Sequence, residues 1–134
     1  MAAARQISVG LQQLLLAIVI VGVTSTLSSC PEPCECSGFT VNCAGKGLTR
    51  IPADLPLDVQ RLDLQENRIS IIRRADLAGL RQLKILQLMD NLVHSIEEQA
   101  FDDLVRLERL RLNRNRLRSL PDRLFYFMPD LNRL

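Results

Sequence analysis

Tryptophan is absent from the 134-residue chain, tyrosine occurs once and phenylalanine four times. A core built from such a sequence must be made of leucine and isoleucine rather than rings. Histidine also occurs once, as His94 between Val93 and Ser95, and reads as a solvated loop residue. With no second histidine, and no free thiol if the cysteines are bridged, a nucleophile–base pair has nothing to be built from. The sequence therefore points to a non-enzymatic protein with no catalytic residues, metal or cofactor. None of its asparagines is followed by x-Ser or x-Thr, so the usual glycosylation signal is missing. A membrane span needs roughly 20 apolar residues, and the run "LQQLLLAIVIVGV" covers only 13, residues 11–23. Arg5 is the only charge before it and the small-residue stretch "TSTLSS" follows. Residues 1–29 thus read as a secretory signal peptide rather than a span, cleaved between Ser25 and Ser29.

What remains is enough for one small domain. Its charge is nearly balanced overall but uneven along the chain. Residues 104–134 hold eight arginines against Glu108, Asp122 and Asp130. All four cysteines fall within "CPEPCECSGFTVNC", as Cys30, Cys34, Cys36 and Cys43. Behind a signal peptide the oxidising route favours disulfides over zinc, and spacing alone leaves three connectivities open.

The stretch "LERLRLNRNRLRSLP" fits neither the helical nor the strand period. It recurs every 24 residues: Leu107, Leu110, Leu112, Asn115, Leu117 and Leu120 repeat Leu83, Leu86, Leu88, Asn91, Val93 and Ile96. Those in turn repeat Val59, Leu62, Leu64, Asn67, Ile69 and Ile72. This is the leucine-rich repeat pattern, L-x-x-L-x-L-x-x-N-x-L. The expected fold is an α/β-type horseshoe solenoid with a short parallel concave sheet and a mostly irregular convex side. A cysteine-rich cap over residues 30–58 covers one end, with Leu48, Ile51 and Leu55 closing the core. Repeats follow over 59–82, 83–106 and 107–130, and a fourth opens at Leu131. No cap follows it, so the chain reads as a fragment of a longer protein whose second cap is missing. Asn67, Asn91 and Asn115 form a structural ladder, because a side-chain amide donates and accepts at once and can serve the backbone groups of a buried turn.

Alternation along each strand sets the candidate binding residues on the outward, concave face. They are Arg61, Asp63 and Gln65 in the first repeat, Ile85, Gln87 and Met89 in the second, and Arg109, Arg111 and Asn113 in the third. Ile85 and Met89 stand out as apolar side chains between charged rows, as at the centre of a protein interface. Arg106, Arg109, Arg111, Arg114, Arg116 and Arg118 are candidate polyanion contacts, since guanidinium groups pair well with sulfate or phosphate. Some of them have Asp90, Glu108 or Asp122 as rival partners. Heparan sulfate is the extracellular polyanion in question, and nucleic acid is excluded by compartment. Glu97, Glu98, Asp102 and Asp103 read as a solvated convex face.

The cap "CPEPCECSGFTVNC" resembles the N-terminal cysteine-rich flank of extracellular leucine-rich repeat proteins. The stretch "LQLMDNLVHSIEEQAFDDLVRLERLRLNRNRLRSLPDRLF" is similar to the first repeat domain of Slit proteins, at variable positions as well as at leucines. That resemblance implies a secreted guidance ligand acting through Roundabout receptors in axon guidance and cell migration, in a family that also engages heparan sulfate. It implies cap bridges Cys30–Cys36 and Cys34–Cys43. It also places the principal receptor surface on the second repeat domain, outside this chain. The cysteine spacing is shared with class I small leucine-rich proteoglycans, so a structural matrix protein is the rival expectation.

Overall fold

The structure is a computed structural model that describes residues 30–134; the signal peptide expected over residues 1–29 lies outside the described residues. The described residues form seven short strands, of which β3, β5 and β7 fall where the leucine pattern alternates: β1 Glu35–Ser37, β2 Thr40–Asn42, β3 Arg61–Asp63, β4 Ile71–Ile72, β5 Ile85–Gln87, β6 Ser95–Ile96 and β7 Arg109–Arg111. One sheet takes the order β1-β2-β3-β5-β7, antiparallel between β1 and β2 and parallel beyond. Each repeat turns the chain once around the stack, so residues 24 apart become neighbours. Leu62 lies beside Leu86, and Leu86 beside Leu110. All three are fully buried. Arg109 continues the same register by a parallel bridge to Arg133.

The cap works as a substitute coil. Its β2 pairs with β3 so that Val41 meets Leu62, and the same register puts Cys43 in the layer that Leu64 and Leu88 fill. Val41 and Cys43 are accordingly buried core residues. The disulfides are Cys30–Cys36 and Cys34–Cys43, and no cysteine among the described residues is free. The second bridge ties the sealing residue Cys43 to the cap's first turn. Ile51 and Leu55 are buried, and Leu48 packs against them half-exposed.

The convex side carries more order than the repeat pattern predicts. Ile71–Ile72 and Ser95–Ile96 form a second, two-stranded parallel sheet, and Arg74–Asp76 form a 3-10 helix. Two carboxylates read as solvated are joints between coils. Glu97 Oε2 accepts from the Arg74 amide at 2.9 Å, and Asp103 Oδ2 accepts from the Gly79 amide at 2.8 Å. Gly79 sits at φ +79°, a backbone that side chains resist. Arg81 adds a bond to the other Asp103 oxygen, and Arg106 donates to Gln82 at 2.6 Å. Glu98 stays exposed and Asp102 half-exposed.

The turn after each strand has a conformational signature that the leucine pattern does not reveal. Glu66, Asp90 and Arg114, each just before a ladder asparagine, have φ of 58°, 57° and 56°. A non-glycine residue there costs on the order of 1–3 kcal/mol, and glycine pays no such steric penalty. Glu66 is exposed and is in none of the side-chain bonds among the described residues. Glu66→Gly should therefore raise stability by about 0.5 kcal/mol, the strain relief outweighing glycine's larger unfolded-state entropy. Urea denaturation measures it, and a loss of 1 kcal/mol or more would show that the turn does not strain its residue.

Candidate binding face of the concave sheet

Strand alternation leaves the odd residues of β3, β5 and β7 facing out of the sheet, and the register aligns them in rows. The first row runs Thr40, Arg61, Ile85, Arg109, and the second Asn42, Asp63, Gln87, Arg111. Arg133 extends the first row by its bridge to Arg109. Gln65, Met89 and Asn113 follow at the strand ends. The two arms of the face differ electrostatically. Arg61 Nε lies 3.1 Å from both carboxylate oxygens of Asp63 on the same strand, and Asp63 is only 6% exposed. A buried carboxylate held by its own strand's guanidinium is a neutralised pair, so Asp63 presents little to a partner although alternation points it outward.

Ile85 and Met89 are outward-facing but half-buried rather than open. Their flanking strands lie roughly 4.8 Å away, close enough for neighbouring side chains to cover their edges. Gln65 is half-buried too, and its Oε1 has no hydrogen-bond partner among the described residues. Arg109, Arg111 and Asn113 are exposed.

The six arginines do not form one surface. Arg106 is held by Gln82 on the outer side, and Arg114 lies 3.5 Å from Asp90, one of the rivals proposed for it. Arg116 and Arg118 are exposed in the connection after β7, while Arg109 and Arg111 stand on the strand itself. A polyanion spanning all six would have to wrap around the coil edge.

The asparagines lie beneath this face, not on it. Asn67 Nδ2 donates to the carbonyls of Cys43 at 2.8 Å and Leu64 at 3.0 Å, and its Oδ1 accepts from the Lys46 and Leu48 amides. Asn91 donates to Leu64 and Leu88 and accepts from Ile69. Asn115 donates to Leu88 and Leu112 and accepts from Val93. Each one joins its own turn to the preceding coil, which locks the rows of the face in register. His94 is exposed.

Sequence reasoning missed three members of the face. Arg133 lies 24 residues after Arg109 and was legible by extending the period. Thr40 and Asn42 were not, since the cap does not keep the repeat spacing.

A match to the leucine rich repeat N-terminal domain covers residues 29–56, and a match to the leucine rich repeat covers residues 81–134. The chain carries leucine-rich repeats behind their N-terminal domain. It is 37% identical over 118 residues to zebrafish (Danio rerio) leucine-rich repeat-containing protein 3B, covering 82% of this chain and 45% of that protein. It is 34% identical over 134 residues to mouse (Mus musculus) Tsukushi, covering 89% and 38%. Among solved structures it is similar to human 5T4, described as Wnt-activated inhibitory factor 1 or trophoblast glycoprotein. That match has a TM-score of 0.63 and 34% identity, over 69% of this chain and 34% of that one. This leucine-rich repeat chain thus spans less than half the length of these relatives. The matched domains fit the capped solenoid described above, in which no helix among the described residues is long and apolar enough to cross a membrane.

Proposed function

We propose that this chain is part of a secreted, non-enzymatic recognition module of the Slit type, a guidance ligand acting through Roundabout receptors. The observation that carries the reading is where the telling residues fall. The non-consensus positions of "LQLMDN" and "LERLRLNRN", on which the Slit resemblance rests, include Gln87, Met89, Arg109 and Arg111. These are outward residues of the concave sheet, where side chains are free to be chosen by a partner rather than by the core. A two-disulfide cap suits the oxidising secretory route, and a rigid parallel sheet presents its rows with little ordering entropy left to lose on binding.

The test is a titration of the secreted protein against a Roundabout-type receptor ectodomain and, separately, against cell-derived extracellular matrix. The principal receptor surface that the resemblance implies lies outside this chain, so what is expected of its concave face is weaker saturable receptor binding, lowered severalfold by Gln87→Arg. Retention by matrix with no receptor binding would overturn a receptor contact by this chain in favour of a structural, small-proteoglycan-like role.

A further inference from the structure

Resting on that reading of the concave face, we infer that its partner presents an acidic protein segment to the β5–β7 end of the sheet, with carboxylates on Arg109, Arg111 and Arg133 and apolar side chains over Ile85 and Met89. The face is divided along the solenoid axis. At the cap end the one guanidinium, Arg61, is already neutralised by Asp63. At the other end Arg109, Arg111 and Arg133 are exposed, and among the described residues none of them enters an ion pair or a side-chain hydrogen bond. Nearby, Arg114 pairs with Asp90, while Arg81 pairs with Asp103 on the convex side.

The spacing of the three free groups follows from the sheet. Arg133 pairs with Arg109 of β7 by an isolated parallel bridge, roughly 4.8 Å away, and Arg111 is two residues along from Arg109, roughly 6.6 Å. Carboxylates on alternate residues of an extended segment have that second spacing, so Arg109 and Arg111 can each take one in bidentate fashion. A sulfated glycan would satisfy the charges as well. It would have nothing to place over Ile85, which pairs with Arg109 in the register, or over Met89, two residues beyond Gln87, the partner of Arg111. An apolar centre with a charged border is the composition of a protein interface.

The experiment uses the full secreted chain and two probes: an extended peptide that carries glutamate and leucine on one face with serine at the intervening positions, and a heparin octasaccharide. Binding is followed by calorimetry, with circular dichroism to confirm that each variant is folded. The glutamate peptide should bind, its glutamine analogue should not, and R109E/R111E should weaken the peptide at least tenfold while R116E/R118E changes it less than twofold. Substituting the half-buried pair, I85S/M89S, should weaken the peptide about fivefold and leave any heparin binding unchanged. Heparin binding that depends on Arg109 and Arg111, with no peptide binding, would overturn the inference in favour of a glycan. Peptide binding indifferent to R109E/R111E would overturn it as well. If the receptor binds and Gln87→Arg weakens it while R109E/R111E does not, the recognition reading stands and the acidic-partner inference fails. If the peptide binds as described and no receptor does, the inference stands and the receptor assignment fails.

Discussion

Asn91→Ala should destabilise the solenoid by about 3 kcal/mol. Asn91 is 5% exposed, and its side chain serves four backbone groups, donating to the Leu64, Leu88 and Met89 carbonyls at 2.8, 3.1 and 3.3 Å and accepting from the Ile69 amide at 3.1 Å. Those groups belong to two coils and lie inside the turn, where water does not replace the lost partner. Each stranded buried group costs about 1–3 kcal/mol; a carbonyl's second lone pair and local relaxation recover part of the sum. Asn91→Asp should be at least as damaging, because a carboxylate would face three carbonyl oxygens where the amide donates. The control is Asn113→Ala: Asn113 is exposed and contributes only backbone to the ladder, so the change should stay within about ±0.5 kcal/mol. Urea denaturation measures all three, and equal losses for Asn91→Ala and Asn113→Ala would mean that the ladder does not carry the turns.

The layers of the fold were unequally legible in the sequence. The main sheet was readable because its signal is redundant: Leu62, Leu86 and Leu110 each repeat one instruction, to bury at a fixed offset, and the observed register pairs them. The convex joints were not. Glu97 with the Arg74 amide and Asp103 with the Gly79 amide join residues 23 and 24 apart. Nothing in the sequence distinguishes a carboxylate that reaches the next coil from one that points into water. The second sheet is hidden for a similar reason, since two-residue strands such as Ser95–Ile96 are too short to show a period. On the candidate face, alternation correctly gives the direction of Asp63 and says nothing of its burial. That burial comes from Arg61 on the same strand, an i, i+2 ion pair that forms only because the strand brings both side chains to one face. The cap pairing followed the family resemblance where cysteine spacing alone left three choices.

Phe101→Ala and Phe125→Ala remove the same side chain from the same place in successive repeats, and their costs should differ by about 2 kcal/mol or more. Phe101 is fully buried, with Leu77 and Leu80 in the coil before it and Leu104 beside it also buried. Its loss leaves a cavity closed on both sides by neighbouring coils, and should cost about 4 kcal/mol. Phe125 is half-buried. It borders an apolar groove of about 940 Å³ with Leu112, Leu117, Leu120 and Leu134, and Leu120 is 43% exposed. Each of these core positions is better covered one repeat earlier, where Leu88, Val93 and Ile96 are buried. Truncating Phe125 therefore removes contacts from one side only and opens no closed void, at a cost of about 1–2 kcal/mol. In a stack whose coils are stabilised by their neighbours, the same gradient should appear in hydrogen exchange. Protection should be highest at β3 and β5 and lowest after β7. Equal losses for the two phenylalanine variants, with uniform protection through residue 134, would mean that the groove is covered in solution. A dependence of that protection on protein concentration would identify the cover as a second copy of the chain.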